Sequence, residues 1–86
     1  MDAYRIFFKK SVEKDLNRID ENELKKIIAH ISALADNPRP PGCEKLTGFE
    51  RYRIRQGHYR MFYSIQDHEL TIWVVKVAHR KDVYKT

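Results

Sequence analysis

Four arginines and no acid occupy the ten residues RYRIRQGHYR, Arg51 to Arg60. Arginine stays protonated at any physiological pH, so it is not a base. Its planar guanidinium fork matches the oxygens of a phosphate and keeps its charge when water is excluded. Arg51, Arg53, Arg55 and Arg60 are therefore candidates to grip a phosphate or to stabilise charge that builds on one. The stretch HRKDVY, His79 to Tyr84, supplies different chemistry. His79 is a candidate general acid or base near neutral pH, Arg80 a second stabiliser of phosphoryl charge, and Tyr84 a proton donor or a surface for base stacking.

These residues converge only if hairpins bring them together. A two-residue turn at Gly57-His58 places Gln56 opposite Tyr59, Arg55 opposite Arg60, Ile54 opposite Met61, Arg53 opposite Phe62 and Tyr52 opposite Tyr63. In that register Tyr52, Ile54, Met61, Tyr63 and Ile65 share a face, and the four arginines share the other. A slip of one residue destroys the sorting. Like charges facing across strands cost a few tenths to about 1 kcal/mol, which a bound phosphate converts to attraction. The competing reading is an exposed strand blunted by charge against edge pairing. A second turn at Asp67-His68 sends Leu70, Ile72 and Val74 to the core face. It sends Trp73, Val75 and Val77 to the arginine side, beside Phe62. A face that is basic at one end and aromatic at the other calls for a cover, either a protein partner or stacked bases.

Ahead of the hairpins, AYRIFF (Ala3 to Phe8) reads as a first strand. Ser11 is the expected N-cap of a short amphipathic helix carrying Val12, Leu16 and Ile19. A second helix begins at Asp20, with Glu23 completing a capping box, and carries Leu24, Ile27, Ile28, Ile31, Leu34 and Ala35 on one stripe. It is expected to end at Asn37-Pro38. The stiff linker PRPPG follows, and beyond it the hydrophobic period falls from 3.6 to 2. The expectation is a single α+β domain of order β-α-α-β-β-β, with two antiparallel helices on one face of a mostly antiparallel four-stranded sheet.

Composition narrows the classes of function. At 86 residues the chain holds one core. Its net charge of +5 is uneven: residues 1–42 carry eight basic and seven acidic side chains, residues 43–86 nine and five. The basic second half suits a polyanion or an acidic protein. Cys43, the lone cysteine, excludes an internal disulfide and a cysteine zinc site, and is read as inert in a reducing cytoplasm. The four histidines show no metal-ligand spacing, there is no glycine-rich phosphate loop, and no apolar run is long enough to span a membrane. A soluble cytoplasmic protein without cofactor or metal is expected.

The segments EKLTGFERYRIRQGHYRMFY and VVKVAHRKDVY, with the length and element order, resemble the RelE/ParE superfamily of toxins from toxin–antitoxin operons. The first resembles its K-L-x-G and strand-hairpin Y-R pattern, the second its terminal H-R-x-x-V-Y. The resemblance implies a RelE-like mRNA interferase that enters the ribosomal A site. There the 2′-hydroxyl attacks the adjacent phosphate, leaving a 2′,3′-cyclic phosphate and a 5′-hydroxyl without a metal. It implies Arg60, Arg80, Tyr84 and Arg55 as catalytic residues. Arg53, Arg51, Lys45 and Lys81 become RNA contacts, with a cognate antitoxin, the ribosome and mRNA as partners. Arg55 stands where the family commonly has lysine and is the poorer proton shuttle, which leaves His79 as candidate acid or base. The ParE branch implies an alternative, a DNA gyrase inhibitor; an inactive toxin homologue is a third.

Overall fold

The computed structural model describes residues 3–46, 48 and 50–83. Strand β1 (Arg5–Phe8) leads into helices α1 (Lys10–Asn17) and α2 (Glu21–Ala33). Strands β2 (Glu44–Lys45), β3 (Arg51–Gln56), β4 (Tyr59–Gln66) and β5 (Thr71–His79) follow, and then the one-turn helix α3 (Arg80–Val83). The sheet runs β1-β5-β4-β3-β2, with β1 parallel to β5 and the other pairs antiparallel. The α+β class is the expected one, with five strands instead of four. The extra strand, β2, is two residues long and carries no periodicity of its own. A turn with Gly42 at φ 90°, in which the Cys43 N–H donates to the Pro40 carbonyl, lays it along β3.

The core lies between the helices and one face of the sheet. Val12 of α1, Ile27 and Ile31 of α2, and Leu34 at its C-cap meet Tyr52, Ile54, Met61, Tyr63, Ile72, Val74 and Val77. Ile28, at the margin of the helical stripe, is exposed. Asp20 caps α2 by accepting from the Asn22 N–H, but the capping box does not close, because the Glu23 carboxylate lies 3.8 Å from Lys26 Nζ. Lys9, and not Ser11, occupies the N-cap position of helix α1, and its side chain makes no capping bond. The Lys9 N–H donates to the Val74 carbonyl, so the chain leaves the sheet there and turns helical at the next residue. Helix α2 ends at Ala33, short of Asn37, because bonds from Leu34 to Ile31 and Ala35 to Ser32 tighten its last turn.

The β3–β4 register is the expected one at every pair from Tyr52–Tyr63 to Gln56–Tyr59. The β4–β5 connection departs from expectation. Asp67–Glu69 form a 3₁₀ turn and Leu70 adopts a left-handed φ of 47°, so the link is longer than a two-residue turn. Arg39 and the Tyr4 hydroxyl both donate to Asp67, the latter at 2.7 Å, and hold its carboxyl below the usual range. A bulge then changes the parity of β5. Tyr63 pairs with Val74 and Phe62 with Lys76, which leaves Val75 without a partner on β4. Val77 consequently faces the core, where it is buried, and Lys76 stands on the arginine face opposite Phe62. The expected placement of Val75 and Val77 beside Phe62 is corrected accordingly.

Candidate functional site

Arg55 and Arg60 face each other across β3 and β4, and Arg53 sits two residues along β3. With Gly42, Glu44 and Ile54 these three arginines line a cavity of about 200 Å³. Arg60 is the most confined: only 9% exposed, with Nη1 buried and unpartnered among the described residues. A buried guanidinium nitrogen left unpaired is costly, and the cost falls when an anion enters. Arg53 differs, because its Nη2 donates to Glu44 Oε2 at 2.6 Å. The pair follows from register, since Glu44 of β2 stands opposite Arg53 of β3. Three guanidiniums against one carboxylate leave the cavity strongly positive, and Arg55 and Arg60 make no ion pair among the described residues. Such a site can hold a phosphate and stabilise added charge on it.

Glu44 is the residue that sequence reasoning missed. Its place in EKLTG precedes the alternating segment, and nothing in the pattern pairs it with Arg53.

The remaining candidates lie around this centre. Arg51 pairs with Ser64 and borders a separate depression with Leu46, Phe62 and Lys76. Lys45 is exposed, 3.8 Å from Glu50. Its partner across β2–β3 is Tyr52 of the core face, so Lys45 does not share the arginine face. On that outer face Trp73 stacks on Phe7 with ring centroids 5.2 Å apart, both substantially exposed.

The tail closes against the β3–β4 turn, the Arg80 N–H donating to the His58 carbonyl at 2.7 Å. Arg60 pairs with Ala78, so Arg80 begins two residues, or about 7 Å of extended backbone, beyond the residue facing Arg60. Arg80 and Lys81 border a depression with His58 and His79. His79 itself pairs with Tyr59, meets that ring edge-on and stacks on His58. The bulge has carried it to the helix side of the sheet, where it shares a second cavity with Asp15, Arg18 and Tyr59. Its Nδ1 accepts from the Lys81 N–H at 3.2 Å. The structure thus gathers Arg53, Arg55 and Arg60, sets Arg80 and Lys81 at their hairpin end, and puts His79 beside Arg80 and Lys81 but outside the arginine cavity. Tyr84 lies outside the described residues.

Comparison with known proteins bears on the chain as a whole. The family model for the ParE toxin of type II toxin–antitoxin systems, parDE, matches residues 6–84. The putative toxin RelE1 of Methanocaldococcus jannaschii is 30% identical over 86 residues, covering 95% of this chain and 96% of the relative. Toxin RelG of Mycobacterium tuberculosis is 27% identical over 88 residues, covering 95% and 97%. Among solved structures, the archaeal RelE–RelB complex from Pyrococcus horikoshii superposes with a TM-score of 0.82 at 27% identity, covering 91% of this chain and 96% of that one.

Proposed function

Since this chain belongs to the RelE/ParE superfamily of toxins of type II toxin–antitoxin systems, we propose that it is a ribosome-dependent endoribonuclease that cuts mRNA in the A site. The observation that carries this reading is Arg60, buried, unpartnered at Nη1 among the described residues and faced by Arg55. A like-charged pair with no carboxylate of its own suits a ligand of high negative charge. As the 2′-oxygen attacks, the phosphate gains charge, and Arg60 and Arg80 stabilise it. Arg53 and Arg55 hold the backbone, Tyr84 orients or stacks the nucleotide, and Arg51, Lys45 and Lys81 contact RNA further out. Fixed guanidiniums supply the positive charge, so the reaction runs without a metal. The site of action is the cytoplasm.

The test is cell-free translation followed by primer extension on the mRNA. Wild-type protein produces cuts within ribosome-bound codons, and Arg60→Ala and Arg80→Ala each lower the rate on the order of a hundred- to a thousandfold. If both variants cut at the wild-type rate, the reading is wrong. The match to the ParE family model favours one other reading, inhibition of DNA gyrase, which a supercoiling assay on the same preparation decides. In either case the partner is a cognate antitoxin, as in the archaeal RelE–RelB complex, and it covers the basic and aromatic outer face.

A further inference from the structure

Resting on the nuclease reading, the geometry points to Glu44 as the general base that takes the proton of the attacking 2′-hydroxyl. Attack by a 2′-oxygen needs a proton acceptor within hydrogen-bond reach. The arginines cannot serve, because a guanidinium holds its proton throughout. His79 pairs with Tyr59, shares its depression with Arg80 and Lys81 and does not line the arginine cavity, and its Nδ1 is already engaged by the Lys81 N–H. Glu44 is the carboxylate that lines the arginine cavity.

Its placement suits the task. The β2–β3 register sets it opposite Arg53, and Arg53 Nη2 holds Oε2 at 2.6 Å. Oε1 makes no hydrogen bond among the described residues, and the side chain is 63% exposed, so a bound nucleotide can reach it. A base whose orientation is fixed by a third group is the recurring arrangement for activating a hydroxyl. Arg53 is then the positioning residue, while Arg55 and Arg60 remain free for the phosphate. In the step, the 2′-oxygen forms a bond to phosphorus and its proton passes to Glu44 Oε1. The phosphorus–5′-oxygen bond breaks, and the departing oxygen takes a proton from water. Glu44 afterwards returns its proton to solvent, so charge and atoms balance with no further reagent.

Single-turnover cutting of mRNA on ribosomes with a defined A-site codon tests the assignment. Glu44→Gln should lower the rate by roughly a hundred- to ten-thousandfold, with ribosome binding within a few-fold of wild type and an unchanged melting curve. Its rate should climb with pH across the range in which the wild-type profile is flat, because hydroxide replaces the lost base. Glu44→Asp should recover part of the rate. Arg53→Gln breaks the same ion pair but keeps the carboxylate, so it should bind more weakly yet retain the wild-type pH profile. A purely structural pair would instead give both variants the same loss and the same profile, which overturns the proposal. Glu44→Gln cutting at the wild-type rate while Arg60→Ala fails would overturn the base and leave the nuclease standing. Wild-type protein that cuts nothing on the ribosome would bring down both.

Discussion

Arg60 is held in a place where a cation is unwelcome. The residue is only 9% exposed and its buried Nη1 lacks a partner among the described residues, so the fold carries the cost of desolvating it. Function and stability therefore oppose each other at this position. Arg60→Met, which fills similar space without charge, should raise the melting temperature while abolishing cutting; thermal melts beside the translation assay would show both. A melting temperature that falls would mean Arg60 is a structural support. Tyr63 shows the contrary case, a buried polar group that is satisfied. Its hydroxyl donates to the Pro38 carbonyl at 2.7 Å and ties the proline linker to the sheet. Burial, first of all, pushes its phenol above the ordinary value of about 10. The neutral form is favoured in the fold, so this contribution is complete below pH 10 and is lost as pH rises through the higher folded value. Tyr63→Phe should cost on the order of 1 kcal/mol at neutral pH. It should also flatten the decline in stability above pH 10, which denaturant titrations at pH 7, 9 and 10.5 would measure. Tyr4, raised by its bond to Asp67, will retain some of the slope.

The elements were legible in proportion to how strongly turn chemistry and alternation agreed. In the β3–β4 hairpin both point to one register: Gly57 takes φ 59° in the turn, and the apolar residues alternate on either side of it. Gly57→Ala forces a left-handed alanine whose Cβ meets Glu23 Oε2 at 3.3 Å, so a loss of about 1 kcal/mol is expected by chemical denaturation. Two residues of β2 are too few for any period to register, and with β2 went Glu44 and its hold on Arg53. The run WVVKVAH was legible as a strand and illegible in phase. Valines at 74, 75 and 77 suit either face, and only the packing of Val77 into the core selects the bulge. That phase decides where His79 points, which explains why a histidine adjacent in sequence to Arg80 lies across the sheet from Arg60.

At the scale of the whole molecule, one side of the sheet is covered by its own helices and the other by nothing in the chain described. The uncovered side joins the arginine cavity to the Phe7–Trp73 stack, with Arg5 lying 5.9 Å from the Phe7 ring centroid. An antitoxin segment with acids spaced from apolar side chains would meet both halves. Binding only the folded state, it should raise apparent stability by about 2.7 kcal/mol at a hundredfold excess over its Kd. Trp73→Ala should weaken that association and Arg60→Ala should weaken it more at low salt than at high salt. Calorimetric titration with the product of the neighbouring gene would check both, and an unaltered Kd for the two variants would remove this face from the interface.

The bulge at Val75 also bears on how the chain tolerates insertion and deletion. At Thr71, Ile72 or Trp73 the loss of a residue turns every later side chain over, burying Lys76 and expelling Val77. Val75 is the exception, because Tyr63 already pairs with Val74 and Phe62 with Lys76 on either side of it. Removing it leaves a regular ladder with each neighbour on its present face, as if an insertion had been reversed. A chain lacking Val75 should therefore fold cooperatively and keep Arg60 opposite Ala78, whereas one lacking the fully buried Ile72 should not fold; circular dichroism of the two deletions tells them apart. The strand has one position at which its length can change and its meaning does not.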